Sequence, residues 1–326
     1  MPSFLRISGS NNLPSSLRGS VVAIGNFDGV HRGHQAVLER ALEEARQRGV
    51  PAFVLTFDPH PRTVFRPEIP LFVLTPPEMK ARLIEELGFA AIVEHPFTRE
   101  FAALTAEEFV MQVLQSDMGI CHVVTGFDFH FGKNRQGGPA FLMEAGERHG
   151  FGVTLVDAFR DEGAEIVSSS RIRSLLSEGQ VAECAGLLGY RFTVEAEIIG
   201  GQKLGRTLGY PTANMSLPDT MALKEGIYAV RFRDGAGVSR SGVASFGRRP
   251  TVNSNGQPLL ETFVFDFSGD LYGQNCQVSF FTYLRGEVKF DGLDPLIVQM
   301  KRDEEEARAL LSGIAPLSPL DSAITF

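Results

Sequence analysis

The chain has 326 residues, of which 43% are hydrophobic, and its formal net charge is -8 at pH 7. This length suffices for one large core or two ordinary ones, whereas the acidic balance argues against general binding to nucleic acid or to a membrane surface, since both require a cationic face. Three scattered cysteines form no metal or redox motif, and no apolar run is long enough for a signal peptide or a membrane span, so we predict a cytoplasmic protein.

Strand-like and helix-like patterns alternate up to about residue 185. Short apolar runs predict buried strands, and amphipathic runs between them predict helices. The predicted strands are 21–24, 52–57, 90–93, 121–125 and 153–156, and the predicted helices are 36–48, 78–87, 105–116 and 141–149. Thr105 and Glu108 have the spacing of a capping box at the third of these helices. This order predicts an α/β domain with a mostly parallel, Rossmann-like sheet whose ligands bind at the carboxyl ends of the strands.

The pattern changes after Gly189, where apolar and polar residues alternate with a period of two. Predicted strands are 192–198, 227–232, 241–246, 261–267 and 277–283, with glycine-rich turns between them. One helix follows, with Asp294 as its N-cap and Pro295 in its first turn. Its apolar stripe is predicted to comprise Leu296, Ile297, Met300, Ala307 and Leu310. We therefore predict a small antiparallel β-barrel with a terminal helix.

These patterns divide the chain into segments 1–186 and 187–311, followed by a loose tail, 312–326. The change in period places the boundary near residues 186–190. No internal repeat or low-complexity segment is present.

The most informative segment of the first half is the turn between the strand 21–24 and the helix 36–48. Its sequence is Gly25-Asn26-Phe27-Asp28-Gly29-Val30-His31-Arg32-Gly33-His34. A strand, a glycine-containing turn and a helix start together present free backbone N–H groups and the positive end of the helix dipole to an anion. Histidines three apart on the first helical turn point the same way and can donate hydrogen bonds to phosphate oxygens.

Other interpretations of this turn are open from its residues alone. A histidine near a helix start is more often a surface or capping residue. Two histidines three apart can also bind a metal, although no set of Cys, Asp or Glu ligands accompanies them. The turn is not a Walker A loop, because it has no Gly-Lys-Ser/Thr ending.

Three further segments of the first half have polar or aromatic residues where a ligand is expected. Phe57-Asp58-Pro59-His60-Pro61 ends one strand, and Gly126-Phe127-Asp128-Phe129-His130-Phe131-Gly132 follows another. Ser168-Ser169-Ser170-Arg171-Ile172-Arg173 resembles a helix start that binds a polyphosphate through hydroxyl groups and charge. By themselves, Asp58 and His60 are equally typical of loop polar residues. Aromatic residues in a loop are more often core plugs, and Ser-Ser-Ser-Arg is usually an ordinary capped helix.

Together these segments resemble, in the expected order, the HxGH signature of the nucleotidyltransferase superfamily and the FAD synthetase module of prokaryotic riboflavin kinase/FAD synthetases. The resemblance implies transfer of an adenylyl group from ATP to FMN, with release of pyrophosphate. It implies catalytic roles for His31, His34 and Arg171. Relatives commonly have Thr at position 170 and often Arg at position 130. Expected binding residues for ATP and FMN are Gly25, Asn26, Phe27, Asp28, Gly33, His60, Asp128, Ser169, Ser170 and Arg173.

The second half contains a glycine-spaced segment, 200–214, that ends in Pro-Thr-Ala-Asn. Its four glycines allow the backbone to approach a ligand closely. Thr212 and Asn214 can both direct an oxygen at one Mg²⁺ ion. Downstream, Glu261 begins a predicted strand, where a carboxylate can accept a proton from a substrate hydroxyl. The alternative interpretation of the glycine-spaced segment is a flexible hairpin connection, and that of Glu261 is an exposed glutamate without a function.

This segment resembles the signature of the riboflavin kinase family. The resemblance implies that Thr212 and Asn214 hold Mg²⁺ with ATP, and that Glu261 is the base on the 5′-hydroxyl of riboflavin. Relatives usually have His where this chain has Phe263. Further binding residues implied by the resemblance are Gly201, Leu204, Gly205, Gly209, Pro211 and Arg285.

The sequence therefore predicts a bifunctional enzyme that forms FMN in its second half and FAD in its first. The expected partners are riboflavin, FMN, FAD, ATP and pyrophosphate, with no nucleic acid and no membrane. One alternative makes the second half a flavin-sensing module attached to a synthetase, and another makes the chain a nucleic-acid-binding protein, which the acidic balance disfavours. The oligomeric state stays open, a weak homo-oligomer being one alternative.

Overall fold

The computed structural model describes residues 3–200, 210–249 and 256–326. The chain forms two units, Met1–Ser169 and Ser170–Phe326. The division lies before the change in pattern near residues 186–190, because two helices that precede the barrel pack with the second unit.

The first unit contains a six-stranded sheet in which all neighbouring strands are parallel. Its strands are β1 (Leu5–Ser8), β2 (Val21–Ile24), β3 (Ala52–Asp58), β4 (Ala91–Pro96), β5 (His122–Gly126) and β6 (Gly152–Val156), in the order β1-β4-β3-β2-β5-β6. Every residue of β2 is buried, as expected for a parallel strand covered on both faces. The predicted parallel sheet is confirmed. Its edge strand β1 was not predicted, since it is short and only Ile7 is buried.

Helices connect these strands near the predicted positions. They are α1 (Arg32–Arg48), α2 (Pro61–Phe65), α3 (Pro77–Glu86), α4 (Ala106–Glu108), which continues as a π-helical segment (Phe109–Asp117), and α5 (Pro139–His149). The capping box between Thr105 and Glu108 is confirmed. Gly49 ends α1 in the left-handed conformation, with φ of 67°.

The order of the strands locates a crevice in the first unit. β2 lies between β3 and β5. The chain leaves β2 toward β3 and leaves β5 toward β6, so the connections after β2 and β5 run in opposite directions along the sheet. In open α/β sheets such a switch point leaves a ligand crevice at the carboxyl ends of the strands. The turn after β2 and the loops after β3 and β5 meet at this edge.

The second unit contains a closed six-stranded barrel preceded by two helices. The elements are α6 (Ser169–Glu178), α7 (Val181–Leu188), β7 (Thr193–Ile199), β8 (Thr212–Ser216), β9 (Gly226–Arg233), β10 (Ser239–Arg249), β11 (Gln257–Val264) and β12 (Asn275–Arg285), and the barrel order is β10-β11-β8-β7-β12-β9. All described pairs in the barrel are antiparallel, which confirms the predicted barrel. Strand β8 was not predicted, because its polar residues obscure the alternation.

Helix α8 (Leu293–Leu311) packs on the barrel, with two differences from the prediction. Its N-cap is Gly292, so the prediction of Asp294 as the cap was wrong. The buried positions are Asp303, Ala307 and Leu311, which are four apart and share one face. Leu310 points away from that face and is 38% exposed, contrary to the predicted stripe. Among the described residues, none of the helices has the length and apolar character needed to cross a bilayer.

The segment after α8 is not a loose tail, which corrects the prediction for residues 312–326. It ends in helix α9 (Pro319–Thr325), whose N-cap Ser318 accepts a hydrogen bond from the Asp321 amide. The Asp321 carboxylate is fully buried and pairs with Arg191 at the start of the barrel. Arg231 lies over the Phe326 ring, 3.9 Å from its centroid. The segment escaped prediction because a seven-residue helix is stabilised by these tertiary contacts rather than by its own pattern.

Removing the Asp321 carboxylate is expected to destabilise the barrel unit. It leaves the Arg191 guanidinium buried without its partner, and also deprives the Arg191 and Leu317 amides of their acceptor. We expect Asp321→Ala to lower the free energy of unfolding by about 3–5 kcal/mol, measured by urea denaturation. The exposed Asp291→Ala serves as control. Equal stability of the two variants contradicts the assignment.

Candidate active sites

His31 and His34 lie at the start of α1, beside the switch point of the sheet. His31 is the N-cap, and its Nδ1 accepts a hydrogen bond from the His34 amide at 3.2 Å. An imidazole nitrogen that accepts a hydrogen bond carries no proton, so the proton of neutral His31 is on Nε2. The cap therefore fixes the tautomer that presents an Nε2–H donor.

The two imidazoles stack on one another in a closed environment. Their ring centroids are 3.6 Å apart with an interplanar angle of 17°, and Phe27 meets His34 edge-on at 5.4 Å. His34 Nδ1 is buried and has no hydrogen-bond partner among the described residues. Burial, followed by the nearby His31 and Lys80, holds the pKa of His34 well below 6.5. The pair is therefore built to work with His34 uncharged.

Two glycines of the turn allow these rings to lie close to the backbone. A Cβ atom at Gly33 would stand 3.1 Å from the His31 ring and 3.3 Å from the Val167 carbonyl oxygen. A Cβ at Gly25 would stand 3.0 Å from the Phe27 ring. A side chain at either position would displace an aromatic ring of the site.

The turn itself is strained and is held from behind by Asp28. Phe27 and Val30 have φ of 46° and 38°, which non-glycine residues rarely adopt. The buried Asp28 Oδ1 accepts hydrogen bonds from the Leu74 and Thr75 amides at 2.8 and 3.1 Å. Thr75 Oγ1 in turn accepts a hydrogen bond from the Gly29 amide at 2.9 Å. These contacts hold the turn in place, and the binding role that the resemblance implies for Asp28 stays a prediction.

The other expected residues of this site surround the same edge of the sheet. Asn26 is exposed, and His60 caps α2 by accepting a hydrogen bond from the Arg62 amide. Asp128 is exposed in the loop after β5. Ser169 donates its hydroxyl hydrogen to the Asp28 carbonyl oxygen at 2.8 Å.

Three expected residues, Ser170, Arg171 and Arg173, lie in α6 within the second unit. There Arg171 is 3.7 Å from Glu183. Ser170 is exposed, and Arg173 is half-buried.

A small cleft adjoins the turn and contains Lys80 of α3, which was not predicted. Its side-chain ammonium donates hydrogen bonds to the Asn26 carbonyl oxygen at 2.8 Å and to Thr56 Oγ1 at 3.2 Å. The signal in the sequence was a lysine among the apolar residues of the buried face of α3, Met79, Ala81, Leu83 and Ile84. The cleft is lined by Thr56, Phe57, Asp58, His60, Val73, Thr75, Pro77, Lys80 and Glu94.

We expect His34 to be largely neutral at pH 6.5, where an unperturbed imidazole is half protonated. Because folding lowers its pKa, its contribution to stability is complete above about pH 6.5 and declines as pH falls through the lowered value. Nitrogen-15 NMR titration of the histidine rings, with His34→Gln identifying the resonance, measures this directly. A midpoint at or above 6.5 contradicts the expectation.

In the barrel, strand register brings the predicted kinase residues together. Asn214 of β8 lies directly opposite Glu261 of β11, and Thr212 lies opposite Phe263. These four residues alternate with the buried core positions of their strands and therefore share the opposite face. Neighbouring residues on one face of an antiparallel pair have their Cβ atoms about 5 Å apart.

Asn214 has the property expected of a metal ligand. It is 4% exposed, and its Oδ1 atom is buried without a hydrogen-bond partner among the described residues. A buried carbonyl oxygen left unpaired is unfavourable by about 1–3 kcal/mol. An oxygen aimed at no protein donor fits a hard cation such as Mg²⁺. Among the described residues, no group of three or more His, Cys, Asp or Glu side chains forms a metal site.

Arg285 and Phe263 have contacts that differ from a simple binding role. Arg285 donates from Nε and from one terminal nitrogen to the two carboxylate oxygens of the buried Asp303 of α8, at 2.9 and 2.6 Å, so Arg285 holds α8 on the barrel. Phe263 packs against Tyr210 and Phe265, with ring centroids 4.8 and 5.7 Å apart. Phe263 thus belongs to the packing under α8.

The remaining expected residues of this site lie outside or at the border of the described residues. Gly201, Leu204, Gly205 and Gly209 lie outside them. Pro211 is exposed immediately before β8.

Comparison with known proteins matches each half of the chain to one of the two families that the sequence resembles. The FAD synthetase family model matches residues 13–171, and the riboflavin kinase family model matches residues 188–311. The bifunctional riboflavin kinase/FMN adenylyltransferase of Listeria monocytogenes is 38% identical, over 90% of this chain and 93% of its own. That of Escherichia coli strain K12 is 38% identical, over 95% and 99%. A crystal structure of a macrolide-efflux protein from Streptococcus pneumoniae matches with a TM-score of 0.82 and 30% identity, over 94% of this chain and 98% of that one.

Proposed function

The chain belongs to the bifunctional riboflavin kinase/FMN adenylyltransferase family, and from this premise we propose which residues carry the two activities. Its second half phosphorylates riboflavin to FMN with ATP, and its first half adenylylates FMN to FAD with a further ATP. The observation that supports the assignment is one arrangement of polar groups in each half. Two stacked histidines begin α1, and Asn214 faces Glu261 across a strand pair.

In the adenylyl-transfer site, the FMN phosphate attacks the α-phosphorus of ATP and pyrophosphate leaves. His31 and His34 donate Nε2–H hydrogen bonds to the phosphate oxygens and stabilise the charge that develops on them. The amino end of α1 contributes its dipole and its unpaired amides. No covalent enzyme intermediate is needed, since positioning and charge stabilisation suffice.

We assign the leaving pyrophosphate to Ser169, Ser170, Arg171 and Arg173. Hydroxyl groups at a helix start and arginines in its first turn match the oxygens and charge of a polyphosphate. His60 and Asp128 follow β3 and β5, the strands on either side of β2, and are assigned to the bound nucleotides. Gly25 and Gly33 contribute by keeping space for the Phe27 and His31 rings.

In the kinase site, Glu261 accepts the proton of the riboflavin 5′-hydroxyl as that oxygen attacks the γ-phosphorus of ATP. The bond from the γ-phosphorus to the β–γ bridging oxygen breaks, and ADP leaves. Thr212 and Asn214 supply oxygens for Mg²⁺, which neutralises phosphate charge when bound. Support comes from the unpaired Asn214 Oδ1 and from the register that places Glu261 beside it. Gly201, Leu204, Gly205, Gly209 and Pro211 are proposed to surround the phosphates of ATP.

We also propose that the enzyme works in the cytoplasm and without nucleic acid. All three cysteines are free thiols, as is usual in a reducing compartment. The net charge of -8 disfavours a polyanionic partner.

His31→Asn is expected to remove FAD formation while preserving the start of α1. Asparagine is a good N-cap, so the helix keeps an acceptor for the His34 amide, but the Nε2–H donor is lost. FAD formation from supplied FMN should fall by about 100- to 1,000-fold, while FMN formation from riboflavin is unchanged. A chromatographic time course with MgATP and pyrophosphatase measures both products. Retained FAD synthesis excludes the assignment of His31.

Asn214→Leu and Glu261→Gln are expected to have the reciprocal effect. Each should lower FMN formation by about 100-fold or more, while supplied FMN is still converted to FAD. Because Asn214→Leu also removes an unpaired buried oxygen, its thermal unfolding temperature should not fall. Normal kinase turnover in both variants rejects the proposed site.

A further inference from the structure

Lys80 is a buried cation close to the histidine pair, and the activities described above assign no role to it. Its residue exposure is 7%, on the face of α3 that packs into the first unit. Burying an ammonium group is unfavourable unless its donors and its charge are compensated. A lysine in such a position therefore requires an explanation.

The hydrogen bonds of Lys80 converge on the strained turn. Its ammonium donates to the Asn26 carbonyl oxygen at 2.8 Å, and Thr56 Oγ1 donates to the same oxygen at 3.1 Å. Asn26 immediately precedes Phe27, which has a positive φ and packs edge-on against His34. A backbone conformation of this kind persists only where surrounding contacts determine it. Lys80 supplies one of those contacts.

A second set of contacts holds the other end of the same turn. The Asp28 carboxylate and the Thr75 hydroxyl bind the segment 74–75 to the residues between Phe27 and Val30. Thr75 and Lys80 lie on either side of the start of α3 and both line the cleft. Residues in and just before α3 therefore bind the turn at two places. One contact is made by segment 74–75, and the other by the charged ammonium of Lys80.

We propose that Lys80 is a positioning residue for FMN adenylylation, whose ammonium fixes the Asn26 carbonyl and thereby the turn that carries Phe27, His31 and His34. This inference rests on the roles proposed for the two histidines. Lys80 touches the backbone that places them rather than the reacting atoms.

The charge of Lys80 acts on His34 as well. The charged or titratable groups that depress the pKa of His34 are His31, on the same helix, and Lys80, on α3. The Lys80 ammonium in turn faces Asp28, Asp58 and Glu94, which oppose the lowering of its own pKa by burial. Loss of the ammonium should therefore raise the pKa of His34.

Lys80→Met in the full chain tests both effects, because methionine keeps the length of the side chain but removes its donors and charge. We expect kcat for FAD formation to fall by about 100-fold with little change in KM for ATP, and the NMR titration of His34 to move to higher pH. FMN formation by the second half serves as an internal reference. Lys133→Met, at an exposed lysine of the same unit, is the matched control and should change neither quantity.

Two further variants separate position from charge. Thr56→Val removes one donor to the Asn26 oxygen but leaves the ammonium, so kcat should fall by about tenfold without a shift in the His34 titration. Lys80→Arg keeps the charge. We expect its His34 to titrate as in the unaltered chain, and its kcat to lie between those of the unaltered chain and Lys80→Met. Should Lys80→Met fail to fold, these two variants decide the question.

Unchanged kcat and unchanged His34 titration in Lys80→Met overturn the proposal, as does unchanged kcat in Thr56→Val if Lys80→Met does not fold. Comparison with His31→Asn separates failure of the role proposed for Lys80 from failure of the function proposed for the histidine pair. Loss of FAD formation in His31→Asn but not in Lys80→Met refutes the role of Lys80 alone. Retained FAD formation in His31→Asn refutes the proposed function of the histidine pair, and the role of Lys80 with it.

Discussion

The adenylyl-transfer half depends on one constraint, the position of β2 between β3 and β5 in a buried parallel sheet. Strands buried on both faces cannot shift register without exposing apolar residues, so the carboxyl ends of these three strands are fixed beside one another. The turn that follows β2 then begins α1 at the divergence of the chain. The helix start supplies amides and a dipole, and the cap bond to His31 sets the imidazole tautomer.

In the barrel half, strand register rather than a switch point brings the polar side chains together. Closing the barrel pairs β8 with β11, and their register places an amide oxygen and a carboxylate on one face. Phosphoryl transfer requires such positioning together with compensation of phosphate charge. Helix α8 is held against the barrel by Arg285 and Asp303, while Phe263 packs beneath it.

Both sites contain features that are unfavourable for folding alone. The turn after β2 has two non-glycine residues at positive φ, and Asn214 has a buried oxygen without a partner among the described residues. Such features are compensated by stabilising contacts elsewhere in the fold. In the first unit these contacts are buried strands and the hydrogen bonds of Asp28 and Lys80. In the second they include the buried pair of Arg191 and Asp321, which fastens the final helix to the barrel.

Local sequence patterns were enough to predict the features that neighbouring residues set. These are the strand, turn and helix around His31, the capping box at Thr105, the alternation of strands in the barrel and both sets of motifs. Which distant residues meet became clear from the packing of the folded chain. The pairing of Asn214 with Glu261 depends on strand register, the contact of Lys80 with Asn26 depends on how α3 packs, and α9 is ordered by Arg191. Local patterns reflect backbone preference and burial, whereas these contacts arise between segments far apart in sequence, whose approach no local pattern specifies.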